Sequence, residues 1–254
     1  MNMLLQTLLH RADPSQVPAL SRFFKTGPGQ YGEGDMFLGI KVPVTREVVK
    51  ACWRDIRPEQ LEECMASEYH EVRLAALLTL IEIYSRPGKW NAAEDCISES
   101  YPQKQLPAAT RTQQYCIDFY LSHTDRINNW DLVDLSCYQL LGQWLLPRKD
   151  RSLLYRLARN GRTLWEQRIG IVSTMAFVRR GQLDDTFAIS DILLDHPHDL
   201  IHKAVGWLLR EAGKRDRDAL TAFLDSRAPV MPRTMLRYAI EKFPQEERAD
   251  YLKR

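Results

Sequence analysis

No run in this 254-residue chain approaches the roughly eighteen consecutive apolar residues that a membrane-crossing helix needs, so a spanning segment is not predicted. Its first residues hold neither a basic n-region nor a small-residue cleavage site; no secretory leader is predicted, and a cytoplasmic location is expected. Cysteine is scarce: Cys52, Cys64, Cys96, Cys116 and Cys137 are odd in number and at least twelve positions apart. That scatter argues against a disulfide framework or a clustered zinc site and suits a reducing compartment. Alternating strand-like runs are nearly absent. No serine or cysteine sits in a recognisable nucleophile elbow or beside a base, so covalent catalysis finds no support.

What is present is typical of a water-exposed globular chain, at 44% hydrophobic and 27% charged residues with a mean hydropathy of -0.38. No linker interrupts it, and a single domain over 1–254 is expected. Apolar residues recur at three and four, as in Val72, Ala75, Ala76, Leu80 and Ile83, the mark of amphipathic helices. Pro14, Pro58, Pro87, Pro107, Pro232 and Pro244 stand near segment starts, where a missing N–H costs nothing. The punctuation gives about fourteen short helices, from 3–10 to 245–252. Such helices without strands predict an all-α protein, an α-solenoid of stacked antiparallel helix pairs of the HEAT or armadillo kind with a concave basic groove. The sequence has no strict repeat, and a non-repeating helical bundle is the alternative.

Two motif-like signals fail. Gly27, Gly29 and Gly32 satisfy G-x-G-x-x-G, but the glycine-rich stretch 26–35 has no strand before it and no helix opening on its last glycine. His196, His198 and His202 have a metal-like look, yet Pro197 and Asp199 make them a loop entering a helix. No metal or cofactor is expected.

Charge is segregated. Residues 1–110 carry 12 Lys+Arg against 14 Asp+Glu, whereas 111–254 carry 23 against 19. Within the latter, residues 148–180 hold nine cations and only Asp150 and Glu166, a local +7. Such a stripe is either a phosphate-facing surface or a solvated helix face.

Helical wheels leave three residues out of place. Arg168 falls amid Leu164, Trp165, Ile171, Val172 and Met175 in the segment 163–179, where a guanidinium must meet a carboxylate, a phosphate or water. Asp134 lies one turn from Trp130 in 128–141, so an aromatic plate and a carboxylate project together. Trp207 in 198–213 points away from Ile201, Ala204, Val205, Leu208 and Ala212, beside Lys203 and Arg210, and on that placement its truncation should cost under about 1 kcal/mol. Each also admits a structural reading: an ion pair, a core tryptophan with a paired acid, or a contact with a neighbouring helix.

Phe37-Leu38-Gly39-Ile40 with Pro43, Asn129-Trp130-Asp131 with Asp134, Gln167-Arg168, and Lys203 through Glu211 resemble the bacterial DNA alkylation repair family, the AlkD-like glycosylases built from HEAT-like repeats. The resemblance spans nearly the whole chain. It implies excision of cationic N3- and N7-alkylated purines from duplex DNA by a cofactor-free monomer, without flipping the base into a pocket. It assigns Asp134, Trp130 and Trp207 to catalysis, and Arg168, Lys203, Arg210, Phe23 and Lys41 to DNA contact. Phe23 stands where some members have tyrosine, Ala176 where some have lysine, and the stretch 26–35 looks extended. The alternative is a non-catalytic helical-repeat module for DNA or protein, which has no need of an acid on a cationic wall.

Overall fold

The computed structural model of the chain describes residues 2–93 and 106–254; Cys96 lies outside them. The described residues are helical, with one isolated bridge between Met36 and Tyr69 as the extended pairing. They divide into two compact units, Met1–Ser136 and Cys137–Arg254. None of their helices is long and apolar enough to cross a membrane.

The first unit is organised around α5. Its helices are α1 (Met3–His10), α2 (Val17–Phe23), α3 (Val42–Cys52), α4 (Pro58–Ala66), α5 (His70–Ser85), α6 (Ala108–Ser122) and α7 (Trp130–Ser136). Fourteen of the sixteen residues of α5 are buried, so this helix is covered on every side. It packs against α1, α3, α4, α6 and α7. Prolines open helices as expected, Pro58 at the first turn of α4 and Pro107 at the N-cap of α6. Between α2 and α3 the chain turns through the glycine-rich stretch and returns at Phe37-Leu38-Gly39-Ile40. Gly39 there has φ +86°, and a Cβ on it would lie 1.9 Å from the Asp13 carbonyl oxygen, which explains the glycine in this motif.

The second unit contains α8 (Gln143–Leu145), α9 (Ser152–Asn160), α10 (Leu164–Val172), α11 (Met175–Val178), α12 (Asp184–Ile192), α13 (Asp199–Gly213), α14 (Arg217–Arg227), α15 (Arg233–Ala239) and α16 (Gln245–Lys253). Short loops join successive helices that pack as neighbours, α9 on α10 and α13 on α12, α14 and α15, consistent with a helical-repeat arrangement. Gly206 permits a close approach of α13 to α15: a Cβ there would sit 2.5 Å from the Met235 carbonyl oxygen.

Two wheels drawn as single helices are interrupted. The segment 128–141 yields α7 and then a π turn at Tyr138–Gly142, one residue past the unit boundary. The segment 163–179 breaks between α10 and α11 at Ser173 and Thr174, both fully buried. Cys52, Cys64, Cys116 and Cys137 are buried free thiols, and burial pushes Cys52 up to about 11 and Cys64 up to about 12.

Candidate nucleic-acid site

In the first unit five elements converge on a pocket of about 390 Å³, α5 among them with His70, Glu71 and Leu74. The end of α2 supplies Phe23 and Phe24, the returning segment Phe37 and Ile40, the start of α3 Lys41 and Pro43, and α7 Trp130 and Asp134. Its walls are a ring assembly centred on Phe24. That ring stacks on Trp130 at 5.5 Å and 24°, on Phe37 at 5.2 Å and 17°, and tilts over His70 at 4.8 Å. Phe23, 60% exposed, meets Trp130 edge-on at 5.7 Å. Trp130 and Asp134, paired on one helix wheel, and Phe23 and Lys41, assigned by the resemblance, line one pocket. Half-buried Asp134 sits a turn beyond Trp130, so the carboxylate and the indole share a helix face.

Beneath the rings lies a polar cluster. His70 at the start of α5 bonds Asp35 through Nδ1 at 3.0 Å and Asp131 through Nε2 at 2.8 Å. Two carboxylates on one imidazole require both nitrogens to donate, so the ring is an imidazolium. Burial pushes His70 down, but the charge and hydrogen bond of Asp131, with those of Asp35, prevail and raise it to about 9. Burial likewise pushes Asp35 up, yet the His70 hydrogen bond and Arg73 hold it down at about 2. Arg73 donates to Asp35, to the Ser67 carbonyl at 2.7 Å and to Asn128 at 3.0 Å. Asn128 donates to Asp35 at 3.0 Å, and Asn129 accepts from the Trp130 amide at 2.9 Å. Alongside, Glu71 accepts the amides of Leu38, Gly39 and Ile40 at 2.9, 2.9 and 3.0 Å. The cluster therefore ties α5, the glycine-rich stretch and the start of α7 together, with Phe24 between His70 and Trp130.

The second unit holds Arg168, Trp207, Lys203 and Arg210. Arg168 is 5% exposed and donates to the Leu200 carbonyl in the first turn of α13. Lys203 pairs with Asp199 at 2.7 Å, and Arg210 pairs with Glu211 and Glu241. Trp207 is half-buried rather than exposed, lining a cleft of about 440 Å³ with Met175, Val178, Arg179, Glu211, Lys214 and Arg215. Placement against a neighbouring helix covers part of an indole that the wheel put in water. Trp207→Ala should therefore cost about 1–2 kcal/mol rather than under 1, read as a drop in thermal midpoint with the fold retained.

The cationic stripe also finds partners within this unit. Arg151 bonds Asp185 at 2.6 Å, Arg162 bonds Glu166 at 2.9 Å, Arg148 lies 3.4 Å over Trp144, and Arg179 lies 4.6 Å over Tyr138. Lys149, Arg159 and Arg180 are exposed. The +7 counted along the sequence is thus partly spent on folding.

A family model described as DNA alkylation repair enzyme matches residues 4–243. The chain belongs to the DNA alkylation repair family. A solved structure of a predicted DNA alkylation repair enzyme from Enterococcus faecalis has the same fold, with TM-score 0.62 over 92% of this chain and 97% of that one at 14% identity. No curated protein matches in sequence. Membership gives the chain a role in alkylation repair.

For this family member, the signals set aside in the sequence have local explanations. The amide of Gly27 donates to the Gln30 side chain at 3.0 Å and that of Gly29 to Glu33 at 2.8 Å, so these N–H groups are used within the stretch. His198 caps α13, accepting the Leu200 amide at 3.1 Å, and His196 bonds Gln167 at 2.9 Å. No group of three or more potential metal ligands occurs among the described residues. The cluster residues His70, Asp35 and Arg73 escaped the sequence reading, although a wheel drawn for α5 would have flagged His70, Glu71 and Arg73 at the head of a mostly apolar helix.

Proposed function

We propose that the chain is a monofunctional DNA glycosylase that hydrolyses the C1′–N bond of cationic N3- or N7-alkylated purines in duplex DNA, without base flipping. The observation that carries this reading is Asp134 at the aromatic pocket, one turn from Trp130. A positively charged base leaves with the bonding electron pair and departs neutral, while the sugar becomes an oxocarbenium-like cation. A carboxylate beside that cation stabilises it and orients the water that adds to C1′. Trp130 supplies an aromatic face for the sugar and backbone, and Trp207 does so by family resemblance. Phe23 and Lys41 at the same pocket fit contact with the strand, the cation toward phosphate. Arg168 holds the α13 N-terminal turn through Leu200 as well as serving phosphate in this reading.

Incubation with duplex containing 7-methylguanine and 3-methyladenine should release the free bases, measured chromatographically. Affinity for the same duplex should fall steeply between about 50 and 200 mM salt. Salt-sensitive binding without base release would instead mark a non-catalytic module, and binding indifferent to salt would remove the phosphate contacts.

A further inference from the structure

We infer that His70 is a positioning residue, whose contacts with Asp131 and with the rings of Phe24 and Phe37 fix Trp130 and, through α7, Asp134. The inference rests on the glycosylase reading for what is being positioned, but its geometry is independent of it. Two routes lead from His70 to Trp130. Through the backbone, Nε2 holds Asp131 at 2.8 Å, the residue that follows Trp130 in the first turn of α7. Through the side chains, the imidazole packs on Phe24 at 4.8 Å and Phe37 at 5.0 Å, and Phe24 stacks on Trp130. A residue that held only the Asp131 carboxylate would leave the indole free to rotate; one that touched only the rings would leave the helix start free to shift. His70 constrains both. The charged groups around it are Asp35 on the glycine-rich stretch, Asp131 on α7, and Glu71 and Arg73 on its own helix, with Arg126 near Arg73. The ring should remain charged until the pH passes about 9.

The test uses the full chain labelled with 5-fluorotryptophan, whose six tryptophans give six fluorine resonances, that of Trp130 identified with Trp130→Phe. His70→Gln should shift or split the Trp130 resonance and leave Trp207 unmoved. Single-turnover base release should fall about tenfold or more while duplex affinity stays within about twofold. In the unsubstituted protein without DNA, the Trp130 resonance should move in one transition near pH 9 that His70→Gln abolishes. An unchanged Trp130 resonance, or an equal disturbance of all six, would overturn the inference. Should His70→Gln fail to fold, Asp131→Asn is read in the same way. If the unsubstituted protein releases no base, the glycosylase reading fails, and the fluorine resonances alone decide the role of His70.

Discussion

Asp134→Asn is expected to lower single-turnover base release about 100-fold, roughly 2.7 kcal/mol of transition-state stabilisation, while duplex binding holds or tightens. The substitution keeps the size and shape of the side chain and removes one negative charge. If that charge serves the oxocarbenium-like sugar, its loss appears in the chemical step alone, because the cation exists only there. Binding should not weaken, since the lost charge repelled phosphate in the ground state. Asp134 is half-buried beside a pocket whose other lining is mostly aromatic and aliphatic, a setting in which a carboxylate acts more strongly than in open water. A folded Asp134→Asn chain with full activity would remove the catalytic assignment. One that melts early and loses activity only in proportion would make Asp134 a structural acid.

How much of this was legible from the sequence differs by element. Periodicity and proline placement exposed the helices because both report local backbone preferences. The wheel exposed Asp134 with Trp130 because the two share one helix face. For Trp207 it left a contact with a neighbouring helix open, because a wheel shows where a side chain points and not which neighbour covers it; α11 supplies Met175 and Val178 to that cleft. The charge count over 148–180 could not show partners outside that window, since Asp185 lies 34 positions from Arg151 and Tyr138 lies 41 from Arg179. The buried cluster was least visible: Asp35, His70 and Asp131 are brought together across separations of 35 and 61 residues. Asp131 was quoted as part of a motif, yet nothing local marks it as the partner of a histidine on another helix.

Asp35→Ala is expected to cost about 3–5 kcal/mol, seen as a fall of about 10 °C in thermal midpoint, the largest stability loss predicted for this chain. The carboxylate, 8% exposed as a residue, accepts from His70, Arg73 and Asn128. Alanine leaves an imidazolium and a guanidinium buried side by side, with Asp131 as the remaining carboxylate bonded to His70. Uncompensated buried charge, more than the lost hydrogen bonds, sets the magnitude. The pH dependence tests this cause. Asp35 is held below its ordinary 3.8, at about 2, so its contribution is present above pH 3.8 and disappears as pH falls through about 2. His70 is raised above its ordinary 6.5, to about 9, so its contribution is present below pH 6.5 and disappears as pH rises through about 9. The gap in thermal midpoint between the unsubstituted chain and Asp35→Ala should therefore be widest between about pH 4 and 6.5 and narrow towards both extremes. A gap that stays constant from pH 2 to 9 would mean that Asp35 stabilises the loop by packing alone, and that the charges beneath Trp130 contribute nothing to holding it.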